Sequence, residues 1–258
     1  MEDDTKSLVI SFRDVSKEFD SLDSAEAADN NFGVKDLNFT VKKGEVVAIV
    51  GPTGCGKSTT FSLLVGLAKP SKGEIEVIGC DPYRQFNKLK GKVGIVFQND
   101  RLLPWRSAID NAAIALEVSG VSKEKRRRAA AEWLGRIGLS DYETKYPHEL
   151  SGGMKQRVAI ARAFVMDPEI ILCDESFSAL DELTASKLRK EFLQLVRKRA
   201  KTGLFITHSI DEAIEMSDRV LVFLKPGHVA REIFVPHRLS VSERANLHEE
   251  ILNAMDVG

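Results

Sequence analysis

The sequence contains the octapeptide Gly51-Pro52-Thr53-Gly54-Cys55-Gly56-Lys57-Ser58, which matches the pattern G-x-x-x-x-G-K-[S/T] in full. It lies between an apolar run, Val46–Val50, that predicts a buried strand, and residues 57–68, which have helical spacing. Glycines let the backbone curl so that successive N–H groups point at phosphate oxygens, and the helix adds its positive N-terminal end. The stretch therefore predicts a site for the phosphates of a nucleotide.

Two side chains of this loop predict direct contacts with the nucleotide. Lys57 is expected to reach the β- and γ-phosphates of ATP, and the Ser58 hydroxyl is expected to bind the accompanying Mg²⁺. Thr59 completes the predicted nucleotide-binding set. Cys55 has two interpretations: it is a small filler of the loop, or it is a thiol whose pKa the nearby Lys57 lowers.

The composition indicates an ordinary globular protein. The chain has 258 residues, 43% hydrophobic residues and a formal net charge of -1. This suits one large domain, or one domain with an inserted lobe, and gives no overall attraction to nucleic acid or to an anionic membrane. The cysteines, Cys55, Cys80 and Cys173, lack C-x-x-C spacing. We therefore expect neither a disulfide framework nor a zinc site, and we predict a reducing compartment.

No targeting or membrane-spanning segment is predicted. The N-terminus is acidic and has no apolar core behind it. No apolar run approaches the roughly 20 residues that are needed to span a bilayer. If the protein serves a membrane process, we expect another chain to supply the spanning helices.

Outward from the loop, predicted strands alternate with predicted helices, apart from one helical stretch. Residues 107–166 lack strand signals and carry two apolar helical stripes, so we interpret them as an inserted lobe. Residues 21–32 are polar and predict a loop, 229–235 predicts a hairpin strand, and 241–255 predicts a closing amphipathic helix. The other predicted strands are 8–12, 34–41, 45–50, 74–78, 93–97, 170–173, 204–207 and Arg219–Leu224, and the other helices are 57–68, 154–166, 182–199 and Ile210–Met216.

A second element with predicted chemistry is the apolar run 170–173, which is followed by Asp174 and Glu175. Adjacent carboxylates at the end of a strand are costly to bury without a cation, and a bound Mg²⁺ would remove that cost. Asp174 is therefore predicted to hold Mg²⁺, and Glu175 to polarise the water that attacks the γ-phosphate. Taken alone, the pair has an alternative interpretation as a strand that runs into an acidic loop.

Residues 150–157 read Leu-Ser-Gly-Gly-Met-Lys-Gln-Arg, and here the chain resembles the ATP-binding cassette (ABC) family, whose signature is LSGGQ. Met154 departs from the short consensus, and Gln156 follows two positions later. The resemblance implies that Ser151, Gly152 and Gly153 precede a helix and contact the γ-phosphate of ATP held by another subunit. Two paired cassettes would then share two active sites.

Further segments follow in the family's order, and the resemblance extends from Val9 to about Val235. It implies that Gln98 lies near Mg²⁺ and the attacking water, and that His208 contacts the γ-phosphate. Asp181 is implied to lie in a loop that crosses the dimer interface. Phe19 is implied as the aromatic residue that stacks on adenine, with Phe32 as a competitor.

The implied fold class is α/β: a P-loop NTPase (RecA-like) core with an N-terminal antiparallel β subdomain and an inserted helical subdomain that carries the signature. The expected ABC ATPase domain covers 7–236, with the core at about 7–98 and 167–236 and the helical subdomain at about 99–166. A C-terminal helical tail is expected at 237–258. The implied cofactors are ATP and Mg²⁺, and the implied activity is ATP hydrolysis coupled to transport.

Within the family, residues 101–106, Arg-Leu-Leu-Pro-Trp-Arg, resemble the ATPases of nitrate, sulfonate and taurine importers, as does Tyr-Pro-His-Glu at 146–149. There Trp105 and Leu102 would form part of a groove for a short helix of the membrane subunit. A second interpretation, which does not exclude the first, is that Trp105 fills the core of the helical lobe. The implied partners are a second cassette, polytopic permease subunits and an extracytoplasmic solute-binding protein, with the chain at the cytoplasmic face of the membrane.

The alternative is a cassette ATPase of a nucleic-acid repair or translation machine. Repair and chromosome-structuring cassettes place long heptad coiled coils or zinc hooks before the signature, and translation-associated proteins usually carry two cassettes; neither pattern is recognisable here. A guanine-specificity motif is not recognisable either. The basic run 123–128 heads a helix with an apolar opposite face, which favours a solvated face. We therefore expect no nucleic-acid partner.

Overall fold

The computed structural model describes residues 8–19 and 32–256. The predicted loop 21–32 lies outside the described residues, apart from Phe32. The chain divides into two compact units, residues 1–90 with 202–258 and residues 91–201. Among the described residues, no helix is both long enough and apolar enough to cross a bilayer.

The strands are numbered in chain order. They are β1 (Leu8–Glu18), β2 (Phe32–Lys42), β3 (Val46–Val50), β4 (Lys72–Val77), β5 (Val93–Val96), β6 (Ile170–Asp174), β7 (Thr202–Ile206), β8 (Arg219–Leu224) and β9 (His228–Phe234).

The helices follow the same convention. They are α1 (Lys57–Leu64), α2 (Phe86–Leu89), α3 (Ala108–Ala112), α4 (Ile114–Val118), α5 (Lys123–Arg136), α6 (Gly152–Phe164), α7 (Glu182–Lys198), α8 (Ile210–Met216) and α9 (Val241–Asp256), and single 3₁₀ turns occur at Ser140–Tyr142 and Pro147–Glu149.

The first unit contains an antiparallel sheet in the order β2-β1-β4. β1 continues to Glu18, six residues beyond the predicted end, because its pairing with β2 shifts register between Phe12 and Val15. Asp14 has φ 50 within this bulge. A bulge breaks the two-residue alternation from which a strand is predicted. The rings of Phe12 and Phe39, 4.5 Å apart, stack on the buried face.

The same unit contains the strand that leads into the phosphate loop. β3 is fully buried and pairs in parallel with β7 on one side and β8 on the other. β9 pairs with β8 as the predicted antiparallel hairpin. Because both neighbours of β3 run parallel to it, its carboxyl end opens onto the edge where α/β folds bind their ligands.

The second unit combines one parallel strand pair, β5 with β6, and the helices α3 to α7. Its core contains a chain of aromatic rings, in which Phe164 lies 5.1 Å from Trp133 and 5.6 Å from Phe192. Between β5 and β6 the structure has helices and turns and no strand in these described residues. The predicted α/β class is therefore confirmed, and residues 107–166 form helices and turns, as the sequence predicts.

The basic run 123–128 forms the first turns of α5. Arg127 pairs with Asp110 at 2.6 Å, and Arg126 lies 3.7 Å from Glu117. These acid partners offset part of the positive charge of the run.

Candidate functional site

The phosphate loop connects the end of β3 to α1. Gly54 and Gly56 have φ values of 77 and 96, a region that favours glycine. A Cβ at Gly56 would collide with the carbonyl oxygen of Gly33 and lie 3.0 Å from Gly227 Cα. A Cβ at Gly51 would collide with the carbonyl oxygen of Phe223. The loop therefore needs glycine both for its curl and for the close approach of neighbouring backbone.

Lys57 is the first residue of α1, and its side chain is only 8% exposed. Its Nζ donates hydrogen bonds to the carbonyl oxygens of Gly51, at 2.6 Å, and Pro52, at 3.0 Å. The first residues of the loop thus curl around the ammonium group of Lys57. A buried ammonium beside the N-terminal end of a helix is suited to an anionic phosphate group.

Cys55 is 1% exposed, and burial raises the pKa of its thiol, although the charge of Lys57 acts in the opposite direction. The net direction favours the neutral thiol. The structure therefore supports the interpretation of Cys55 as a filler of the loop.

Phe19, the implied adenine-stacking residue, is 52% exposed. A Cβ at Gly33 would lie 2.6 Å from the Phe19 ring and 2.7 Å from Thr59 Oγ1, so the ring lies beside the start of α1. Each ring also lies under a lysine ammonium: Phe19 under Lys17 at 5.4 Å, and Phe32, the competitor, under Lys35 at 5.1 Å. The position next to Thr59 favours Phe19 over Phe32.

We expect Phe19→Ala to weaken ATP binding because stacking of a base on an aromatic ring is worth about 1–2 kcal/mol, or roughly 5- to 30-fold in affinity. Titration of the purified protein with ATP measures the effect, and Phe32→Ala is the matched control. A larger loss of affinity in Phe32→Ala than in Phe19→Ala would reverse the assignment.

His208 follows β7 in the same unit as the phosphate loop, and its side chain is exposed. The backbone N–H of Thr207 donates to the carbonyl oxygen of Ile49, at 3.1 Å, two residues before Gly51. Thr207 Oγ1 donates to Glu212 at 2.5 Å and accepts from the N–H of Ser209 at 3.1 Å. The backbone on both sides of His208 is thus fixed next to the strand that carries the loop.

Sequence reasoning missed two residues near these groups. Glu212 is 6% exposed, and the spacing Ser209-x-x-Glu212 is the pattern of a helix capping box, which could have identified it. Lys225 approaches the loop, because a Cβ at Gly54 would lie 3.5 Å from its Nζ. No local pattern marks Lys225, because only the pairing of β8 with β3 brings it there.

In the second unit, the acidic strand end and Gln98 come together. Asp174 ends β6 and is half-buried, and Glu175 follows with φ 45. Gln98 Nε2 donates to Glu175 Oε2 at 3.2 Å and lies 3.5 Å from Ser178 Oγ. The amide thus restricts the orientation of the carboxylate that is predicted to polarise water.

The signature segment forms the N-terminus of α6 in this unit. Ser151 is the N-cap and accepts a hydrogen bond from the N–H of Met154 at 3.3 Å. Gly152 and Gly153 form the first turn, and a Cβ at Gly153 would lie 2.9 Å from Thr184 Cγ2. The backbone N–H groups of this first turn can donate hydrogen bonds to an anion.

Asp181 lies close to the signature because it caps the adjacent helix α7. It accepts a hydrogen bond from the N–H of Thr184 at 3.0 Å, and this bond holds the pKa of its carboxyl below the usual range. A Cβ at Gly152 would lie 3.6 Å from Leu180, the residue before Asp181. The structure therefore brings Asp181 and the signature together.

The structure thus groups the predicted residues in two sets. The first unit holds the phosphate loop, Phe19 and His208, and the second holds Gln98, Asp174, Glu175, Asp181 and the signature. Within residues 8–19 and 32–256, no group of three or more His, Cys, Asp or Glu side chains is arranged to hold a metal ion.

Comparison with known proteins agrees with this geometry. The family described as "ABC transporter" matches residues 34–178. An uncharacterized ABC transporter ATP-binding protein, MJ0412 of Methanocaldococcus jannaschii, is 38% identical over 85% of this chain and 82% of its own length. The glycine betaine/proline betaine transport system ATP-binding protein ProV of Escherichia coli is 38% identical over 78% of this chain and 51% of its length.

A solved structure shows the same fold. The ATP-binding cassette MJ0796, as a dimer in a post-hydrolysis state bound to ADP and Pi, matches with a TM-score of 0.76 and 32% identity, over 89% of this chain and all of that one. The match of the family to more than half of the residues, together with these relatives, is decisive. The chain belongs to the ABC transporter family and carries its ATP-binding, ATP-hydrolysing domain.

Proposed function

We propose that this chain energises solute import as one of two paired cassettes docked on membrane permease subunits at the cytoplasmic face. The observation that carries the proposal is the exposure of Trp105, whose side chain is 71% exposed. This excludes Trp105 as a plug of the helical core, the alternative interpretation of the sequence. Large exposed aromatics are typical anchors of protein interfaces.

The segment around Trp105 is held rigidly, as a docking surface requires. Asn111 is fully buried, and its Nδ2 donates to the carbonyl oxygens of Leu103 and Arg106 at 3.1 and 2.9 Å. Its Oδ1 accepts from the N–H of Leu103 at 2.7 Å. Leu102 is only 9% exposed, so it packs into the interior, whereas Trp105 is the exposed large apolar side chain of residues 102–105.

For the bound nucleotide we propose Mg-ATP. Hydroxyl, amide and carboxylate oxygens are the ligands that Mg²⁺ prefers, and it usually takes only one or two carboxylates besides phosphate oxygens and water. The oxygen donors Ser58, Asp174 and Gln98 fit this preference, and we assign them to the metal. When bound, Mg²⁺ neutralises charge on the phosphate oxygens.

The proposed chemistry uses the remaining site residues. Lys57 binds the β- and γ-phosphates, and His208 contacts the γ-phosphate. Glu175 accepts a proton from the attacking water, in the orientation that its hydrogen bond with Gln98 gives it. The first turn of α6 binds the γ-phosphate held by the partner cassette, so ATP favours closure of the pair and hydrolysis favours opening.

Import as the direction is supported by the name of one relative, a Fe(3+) ions import ATP-binding protein. That relative, FbpC 1 of Rhizobium meliloti, is 38% identical over 86% of this chain and 60% of its own length, and ProV belongs to a glycine betaine/proline betaine transport system. We propose in addition that an extracytoplasmic solute-binding protein carries the solute. Within this class we propose the nitrate, sulfonate and taurine group, from the Leu-Leu-Pro-Trp sequence at 102–105.

Co-purification from membranes tests the proposal: the chain should be recovered with a polytopic membrane protein. Trp105→Ala should lower the recovery of the membrane protein. Its affinity for the chain should fall about 30-fold or more, because central aromatic anchors contribute about 2 kcal/mol or more. ATP binding by the isolated chain should not change. Tyr142→Ala, which removes another exposed aromatic of the same unit, is the control, and equal recovery of both variants would contradict docking through Trp105.

A further inference from the structure

Arg162 lies in the last turn of α6, and its guanidinium group binds a segment outside that helix. Nη1 donates to the carbonyl oxygen of Arg101 at 2.8 Å, and Nη2 donates to that of Asp100 at 2.5 Å. Burial lowers the pKa of this guanidinium, which means that its charge is held at a desolvation cost. Two charge-assisted hydrogen bonds to successive carbonyls offset that cost and fix the segment in one geometry.

The backbone that Arg162 binds has a conformation that is unfavourable by itself. Arg101 has φ 48, in the left-handed region that is unfavourable for a non-glycine residue. Asp100 Oδ1 accepts a hydrogen bond from the N–H of Leu102 at 2.9 Å, and the Arg101 guanidinium lies 4.3 Å from the centre of the Phe97 ring. Arg162 therefore stabilises a strained turn from outside it.

This turn separates two groups to which the proposed function gives roles. Gln98 lies two residues before Asp100 and donates to Glu175. Trp105 lies four residues after Arg101 and is held from its own side by Asn111. The two hydrogen bonds of Arg162 tie the turn between these groups to α6.

We propose that Arg162 is a positioning residue, which holds Gln98 against Glu175 and joins the signature helix to the segment that carries Gln98 and Trp105. α6 has 13 residues, which corresponds to a rigid rod of about 20 Å. Ser151 caps one end of this rod and Arg162 binds the turn at the other. Displacement of the signature end by a partner's nucleotide would then move Gln98. The inference rests on the proposed role of Gln98.

A double-mutant cycle on ATP hydrolysis tests the proposal. Arg162→Lys keeps the charge but replaces the planar fork by one ammonium, which cannot hold both carbonyls in the same geometry. We expect it to lower kcat about fivefold, with the KM for ATP within about twofold. In the Gln98→Ala background the same substitution should have no further effect, because residues that act through one group are not additive. Arg128→Lys on the exposed face of α5 is the matched control and should leave kcat unchanged.

A second measurement reports the position of the turn without turnover. The sequence has two tryptophans, Trp105 and the buried Trp133. In a Trp133→Phe background, the fluorescence anisotropy of Trp105 should fall in Arg162→Lys and stay unchanged in Arg128→Lys. Circular dichroism on the same samples verifies that each variant is folded.

The outcomes separate the inference from the proposed function. Additive effects of Arg162→Lys and Gln98→Ala on kcat would overturn the positioning role. If Gln98→Ala leaves kcat unchanged, the proposed role of Gln98 fails, and the anisotropy of Trp105 then decides for Arg162. Unchanged anisotropy in folded Arg162→Lys would overturn the inference in either case.

Discussion

Glu175→Gln is expected to abolish turnover and to leave ATP bound. A general base contributes about 10²- to 10⁴-fold to a rate, so we expect kcat to fall at least a hundredfold. The substitution preserves shape and removes only the proton-accepting charge. We propose that the phosphate loop binds ATP through Lys57 and backbone amides, which Glu175→Gln leaves unchanged, so ATP affinity should stay within about twofold.

Steady-state phosphate release and equilibrium ATP binding measure the two quantities separately. Glu132→Gln, a carboxylate on the exposed part of α5, is the matched control for loss of one charge and should be fully active. A second variant changes the orientation of the Glu175 carboxylate. Gln98→Ala should also lower kcat, because the 3.2 Å hydrogen bond from its amide restricts the Glu175 carboxylate. Hydrolysis retained in Glu175→Gln would exclude Glu175 as the base.

Ser151→Arg should inactivate a pair of identical chains, since it places a long side chain over the first turn of α6. The loss of activity should be larger than the loss of the N-cap hydrogen bond alone would cause. Ser151 accepts one hydrogen bond from Met154, and removal of an N-cap costs about 1 kcal/mol of stability. Ser151→Ala therefore controls for the cap: it should fold less stably and retain far more activity than Ser151→Arg.

Mixing tests whether the site is shared between two chains. A pair of one Ser151→Arg chain and one Lys57→Ala chain holds one intact loop facing one intact signature. Random pairing of equal amounts makes about half of the dimers mixed, so about a quarter of the wild-type activity should return from two inactive proteins. Differently tagged chains report how many mixed dimers form. Mixed dimers without any recovered activity would contradict the shared site.

Local chemistry explains why much of the fold could be predicted. The bounds of α8 and β8 agree with the prediction to the residue, because Ser209 caps α8 and residues 220–224 of β8 form a continuous apolar run. α1 ends at Leu64, four residues earlier than predicted, because Gly66 adopts φ 71 and reverses the chain. That glycine is a local signal for a helix end, and it could have been used.

The sequence by itself determined which residue types are available for the predicted chemistry of the site. Each predicted functional group lies within one short, continuous segment: the phosphate loop at 51–58, the signature at 150–157 and the acidic pair at 174–175. Its predicted function depends on neighbouring residues and on the end of one strand or helix. The resemblance to the ABC family, which the comparisons confirm, rests on those same short segments and on their order.

Only the tertiary structure decided which side chains meet across long sequence separations. It placed Trp105 at the surface, brought Gln98 to Glu175 across 77 residues and Arg162 to Asp100 across 62. It also resolved the state of Cys55, where desolvation outweighs the attraction of Lys57. Burial, desolvation and hydrogen bonds between distant segments depend on packing, and packing leaves no periodic pattern in the sequence around any one of these residues.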